Sequence, residues 1–109
     1  MKKPLDVYLN HAGLICSLGS GTSDVAENLF FSKPTKSFVK KSKNYVISRE
    51  LPVGEITALL AEVFIPQEDT RNNRVLTTAI EQLRPKIEEL KQRFGAQRIG
   101  VVIGTSTSG

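Results

Sequence analysis

Apolar side chains between Thr70 and Gly95 recur at Leu76, Ile80, Leu83, Ile87, Leu90 and Phe94, in steps that alternate between four and three residues. That spacing keeps one face of a helix apolar and predicts a long amphipathic helix over this stretch. Asp69 or Thr70 is placed to cap its start, and Gly95 directly follows the last apolar residue, where a left-handed glycine commonly ends a helix. Pro85 interrupts the pattern: it has no amide to bond to the Glu81 carbonyl and disfavours helical geometry at Arg84. Either a kink or two abutting helices is expected, and the unbroken phase of the stripe favours a kink on the solvent side.

Two other stretches lack polar alternation and predict strands buried on both faces. Val7 to Ser17 is rich in aliphatic and aromatic residues, with Asn10 and His11 its clearly polar members, and Ile99, Val101, Val102 and Ile103 form a second run. After the first, Gly19-Ser20-Gly21 turns the chain, and Thr22 or Ser23 is placed to cap a helix from about Asp24 to Phe31 with Val25, Leu29 and Ala26 inward. Pro34 closes this unit. Tyr45, Val46 and Ile47 predict a short strand, and Ile56, Leu59, Leu60 and Val63 show weak helical spacing confined by Pro52 and Pro66. The order strand, helix, irregular excursion, long helix, strand is that of an α/β unit with parallel first and last strands joined by a right-handed crossover. Two such strands do not make a stable sheet, so oligomerisation or further sequence is expected to cover them.

Composition changes this picture little. The 109 residues are 39% apolar without tryptophan, a thin supply for a core, and the formal charge of +4 favours acidic partners without choosing among them. The positive charge is uneven: Lys33, Lys36, Lys40, Lys41, Lys43 and Arg49 are met by no acidic residue between positions 33 and 49. A solvated loop is the plain reading of such a run. A lone cysteine, no secretory segment and no apolar run of membrane-spanning length make a soluble, cytoplasmic protein the expectation.

Candidate chemistry is sparse. The segment Gly19-Ser-Gly21-Thr-Ser-Asp24 invites a dinucleotide-binding reading, but Asp24 stands where the third glycine belongs, and its carboxylate repels phosphate, so the glycines read as turn-formers. Within one strand, His11 and Cys16 point to opposite faces about 17 Å apart, which excludes a catalytic pair and leaves Cys16 a buried, inert thiol. A zinc site lacks ligands, and no carboxylate pair stands out as general acid and base.

Taken together, two motifs carry a resemblance that neither carries alone. Gly13-Leu-Ile-Cys-Ser-Leu-Gly19 with its following helix, and the amphipathic helix leading to Arg98-Ile-Gly-Val-Val-Ile-Gly104-Thr-Ser-Thr-Ser-Gly109, resemble the opening of β-ketoacyl-acyl-carrier-protein synthases in order and in their spacing of about 85 residues. Positions 33 to 67 are unmatched. The resemblance implies the N-terminal part of a thiolase-like α/β fold, in a protein several times longer that works as a homodimer or heterodimer. It implies decarboxylative Claisen condensation of an acyl group with malonyl-carrier protein, in fatty acid or polyketide-type synthesis, at a cysteine, two histidines and a lysine downstream. No catalytic residue and no cofactor falls on this stretch, which alone is expected to be inactive. Substrate contact is implied for Gly104, Thr105, Ser106, Thr107, Ser108 and Gly109, with Thr107 turned toward the acyl pocket, and a tight crossing without substrate contact is the competing reading. Contact with the acidic acyl carrier protein is implied for Arg71 and Arg74, which Glu68 and Asp69 flank. The expected partners are that carrier and its acyl and malonyl thioesters, without nucleic acid or a membrane span. A non-catalytic chain-length partner of such a synthase is the alternative within the resemblance, and a small basic module for nucleic acid or anionic surfaces the alternative outside it.

Overall fold

The computed structural model describes residues 2–33, 36–44, 46 and 48–105. The chain combines helices with two small antiparallel sheets. The first sheet is a tight hairpin: β1 (Ile15–Cys16) and β2 (Gly19–Ser20) pair Ile15 with Ser20 and Cys16 with Gly19, and Ser17 and Leu18 make the turn. Helix α1 (Thr22–Phe30) follows directly, with Gly21 at its cap position. Neither Thr22 nor Ser23 caps it. Asp24 in its first turn instead reaches back to accept the Ser20 amide at 3.1 Å, which ties the helix to the hairpin. A Cβ on Gly19, at φ 152°, stands 2.1 Å from the same Asp24 carboxylate, so the turn-forming role of this glycine has a definite steric cause. Val25 is buried as expected, whereas Leu29 is exposed.

All six cations of the basic stretch are exposed, and two of them, Lys40 and Lys41, lie in a strand. Strands β3 (Lys40–Ser42) and β4 (Leu51–Val53) pair antiparallel, Lys40 with Val53 and Ser42 with Leu51, and make a second hairpin, the basic arm. Of the short strand expected at Tyr45–Ile47, Tyr45 and Ile47 lie outside the described residues, as does Pro34. No helix forms around Ile56 to Val63; the segment is irregular up to a 3₁₀ turn at Pro66–Glu68.

The periodic stretch gives two helices rather than one kinked helix. Thr70 caps α2 (Arg71–Glu81), its Oγ1 accepting the Asn73 amide at 3.2 Å, and Gly95 at φ 80° ends α3 (Arg84–Phe94). The break at Gln82 and Leu83 follows from Pro85, which sits in the first turn of α3, where a helix has no use for an amide. Leu83 donates to the Ile80 carbonyl at 2.9 Å, and Ile87 donates to Leu83 to start the next helix.

The expected long strands do not form. Within Val7–Ser17 only Ile15 and Cys16 are strand, and Val7, Tyr8 and Leu9 lie exposed, Leu9 at 91%. Residues 99–103 pair with no strand among the described residues, and Val101 and Val102 are 73% and 88% exposed. The parallel crossover is therefore replaced by two antiparallel hairpins. The physical reason is shared: a strand apolar on both faces needs neighbours at both edges and a layer on each side, and two hairpins of two and three residue pairs supply neither.

Little apolar surface is removed from water. Val25, 7% exposed, is the buried apolar side chain of the described residues. The accessible surface of 9673 Å² compares with about 6,000 Å² for a compact chain of 12.0 kDa. The radius of gyration of 17.7 Å compares with about 13 Å for a compact domain of this length. Polar side chains that grip loop backbone take the place of a core. Gln82 accepts the Leu14 amide at 2.9 Å and donates to the Leu14 carbonyl and to Ser20 Oγ, both at 3.1 Å. Gly13 beside it lies so close to α2 that a Cβ there meets the Ala79 carbonyl oxygen at 2.1 Å. Asn28 donates to the Leu18 carbonyl at 2.6 Å, and Thr78 accepts the Ala61 amide at 2.8 Å while donating to Arg74.

Each such bond contributes about 0.5–1.5 kcal/mol net, so the Gln82 contacts and the Gly13 approach decide whether the hairpin stays on α2. Gln82→Ala is expected to speed amide hydrogen exchange at Leu14 by about tenfold, as loss of one to two hydrogen bonds implies. Gly13→Val is expected to lower stability by about 1–3 kcal/mol in urea titration. Unchanged Leu14 exchange in Gln82→Ala contradicts the clamp.

Candidate functional site

Three regions bear on binding. The first is a cavity of about 360 Å³ between the hairpin, α1 and the basic arm, lined among others by Cys16, Asp24, Asn28, Lys36, Lys40 and Glu55. Its geometry is set by α1. Asn28 holds the hairpin turn through the Leu18 carbonyl and accepts a 3.0 Å hydrogen bond from Lys36 Nζ with its side-chain oxygen. The Lys36 ammonium also lies 5.0 Å from the centre of the Phe38 ring, an attractive cation–ring contact. Lys36 is thus oriented by a neutral amide and a ring, and no ion pair among the described residues includes it. Hydroxyls of Ser17, Ser37 and Thr57 complete a polar lining in which the carboxylates of Asp24 and Glu55 stand with the ammonium groups of Lys36 and Lys40.

Bond-making chemistry has no comparable basis. Cys16 is a free, half-buried thiol on the cavity wall. His11 lies outside β1 in an exposed segment, so the premise that one strand carries both residues does not hold. Among the described residues no three His, Cys, Asp or Glu side chains come together to hold a metal ion, and no helix is long and apolar enough to cross a membrane.

The second region is the glycine- and hydroxyl-rich end. Gly104 and Thr105 are exposed, and a Cβ on Gly104 meets nothing within 4 Å among the described residues. Ser106, Thr107, Ser108 and Gly109 lie outside the described residues.

The third region is the start of α2, where Arg71 and Arg74 stand one turn apart. Both already have acceptors within the chain. Arg74 makes a two-pronged contact with Asp69, Nε to Oδ1 at 2.5 Å and Nη2 to Oδ2 at 2.6 Å, and Arg71 donates to the Ile56 carbonyl at 3.2 Å. The Arg74 hydrogen bond holds the Asp69 carboxyl below its ordinary 3.8, and the Arg84 hydrogen bond holds Glu81 below 4.5. Glu89 is held below 4.5 chiefly by its hydrogen bond from Lys86 and by that ammonium's charge, with a smaller contribution from His11. A second, more apolar groove of about 670 Å³ runs between residues 61–65 and the α2–α3 break, edged by the ion pair of Glu81 and Arg84.

The residues that position these regions, Asn28, Thr78 and Gln82, carry no sequence signal of their own. Their one legible feature is place: Gln82 and Thr78 flank the apolar stripe of the long helical stretch, next to the small Ala79. Comparison with known proteins found no matching family model, no matching curated protein and no matching solved structure.

The ion pairs have a definite pH signature. Because Asp69, Glu81 and Glu89 bind protons less readily folded than unfolded, they contribute stability above their ordinary pKa and lose it as the pH falls through their lower folded values. Helicity followed by circular dichroism is therefore expected to fall as acid is added below pH 4.5, with the Asp69 component appearing below 3.8 and missing in Asp69→Asn. Identical acid titrations of the variant and the parent protein contradict this assignment.

Proposed function

We propose that this chain is the N-terminal part of a β-ketoacyl-acyl-carrier-protein synthase with a thiolase-like fold. The observation that carries the reading is the ordered pair of motifs, Gly13 to Gly19 and Arg98 to Gly109, at their spacing of about 85 residues. Both glycines that frame the first motif have a structural cause, Gly13 in its approach to the Ala79 backbone and Gly19 in its φ of 152°, which side chains rarely adopt. The exposed apolar runs Leu5 to Leu9 and Val101 to Ile103 fit strands that pack inside a larger α/β body.

In this reading, an acyl group passes from its carrier thioester to a cysteine outside this stretch, with release of the carrier thiol. Malonyl-carrier protein then loses carbon dioxide, and its resulting carbanion attacks the acyl thioester, freeing the cysteine and forming the 3-ketoacyl product. Residues Gly104 to Gly109 approach the acyl pocket, and the protein acts as a dimer. A synthase of this kind releases carbon dioxide from malonyl-carrier protein when an acyl donor is present. We expect the full-length protein to do so; ketoacyl product undetectable above the background without enzyme is the result that removes the proposal. Decarboxylation without condensation marks the chain-length partner instead.

A further inference from the structure

We propose that the cavity of about 360 Å³ beside α1 binds a free α-amino acid, holding its ammonium and its carboxylate at opposite ends. Such a site is independent of the synthase reading. Charge of both signs lines this one cavity: the carboxylates of Asp24 and Glu55 and the ammonium groups of Lys36 and Lys40. Among the described residues none of the four belongs to an ion pair, although the helical half closes pairs such as Asp69–Arg74 and Glu81–Arg84.

Helix α1 sets the spacing of the two signs. Asp24 and Asn28 stand four residues apart and so share one face of the helix, with about 5–6 Å between their Cβ atoms. The Ser20 amide holds the Asp24 carboxylate at 3.1 Å, and the Asn28 side-chain oxygen holds the Lys36 ammonium at 3.0 Å. Lys36 is held a second time by the Phe38 ring, 5.0 Å from its centre, and Asn28 by the Leu18 carbonyl at 2.6 Å. An anion and a cation are thus each fixed by neutral groups, about one helical turn apart, rather than by one another. One dipolar molecule fills that gap, with a charge-assisted hydrogen bond of about 2.7–2.9 Å at each end. Groups already oriented lose less side-chain entropy on binding it.

The rest of the lining selects the ligand class. An anion alone meets the repulsion of two carboxylates, and a cation alone that of two ammonium groups, whereas a molecule with both charges on one carbon satisfies both ends. Leu18, Phe38 and Ala58, each half-buried, supply an apolar wall for an aliphatic side chain. All four charged side chains stay solvated, which sets a modest affinity, a Kd on the order of 1 mM for L-leucine.

The test is heteronuclear NMR of the full chain titrated with L-leucine, with L-leucinamide, which lacks the carboxylate, and with isocaproate, which lacks the ammonium. L-Leucine is expected to shift the Ser20 amide and the Asn28 side-chain amide saturably, and each analogue to bind about tenfold more weakly, as loss of one hydrogen bond to a charged group implies. Lys36→Met is expected to weaken L-leucine by about the same factor, as is Asp24→Asn, which keeps an acceptor for the Ser20 amide. Glu55→Gln tests the acidic end without touching the hairpin contacts. Lys91→Met removes an equal charge from α3 and is expected to change binding by under about twofold. No saturable shift up to about 20 mM L-leucine overturns the site. Either analogue bound as tightly as L-leucine overturns the dipolar ligand, and undiminished binding to Lys36→Met overturns the place given to its carboxylate.

Discussion

The arrangement depends on how Gln82 is placed. Pro85 forces α2 and α3 apart, and the break leaves Gln82 free of a regular helical turn, with its side-chain amide turned to the backbone of Leu14. One amide then satisfies both the donor and the acceptor of Leu14, much as a neighbouring strand does, while Gly13 lets the chain lie against the Ala79 carbonyl. From there the links run in series. Leu14 also accepts the Gly21 amide at 2.7 Å and so closes the hairpin, Asp24 and Asn28 tie the hairpin to α1, and Asn28 passes the constraint to Lys36 at the base of the arm. A proline in one helix thereby fixes a cation far along the sequence from it.

Links of this kind supply direction more than strength. Hydrogen bonds exchanged against water contribute little each, and the burial that normally dominates folding is confined here to Val25. The chain exposes roughly 3,700 Å² more surface than a compact chain of its mass. Much of that excess is apolar, at Leu5, Val7, Tyr8, Leu9, Phe30, Phe31, Leu59, Phe64 and Val101 to Ile103. Such exposure fits a piece whose apolar faces are completed by other polypeptide, and the polar clamps hold those faces in a defined relation.

What the sequence disclosed divides along the same line. Local signals held in the helical half, where the stripe from Leu76 to Phe94, the cap at Thr70, the stop at Gly95 and the disruption at Pro85 all concern residues within a few positions of one another, but not at the expected cap of α1 or the helical spacing of Ile56 to Val63. At Pro85 the sequence allows a kink or two abutting helices, and the continuous apolar phase favours the kink, because phase does not reveal that Leu83 and Pro85 suit the start of a new helix. Signals that depend on partners failed. Ile99 to Ile103 has the composition of a buried strand, and composition states only what a segment needs, not what surrounds it. Likewise the lysines between 33 and 49 are legible as charge, while the placement of Lys40 and Lys41 in β3 rests on pairing with Val53 and Pro52, more than ten residues away in sequence. Arg71 and Arg74 could be placed on α2 from the pattern, but the two-pronged grip of Asp69 on Arg74 depends on the geometry of the turn before the helix.

The proposed synthase function places acyl chemistry at a cysteine other than Cys16. Intact-mass and peptide mapping of the full-length protein, after incubation with acyl-carrier protein, tests this most directly. The account predicts one acyl group per active subunit on a cysteine downstream of Gly109, with Cys16 unmodified. An acyl group on Cys16, or no covalent adduct under conditions in which the protein remains folded, contradicts it.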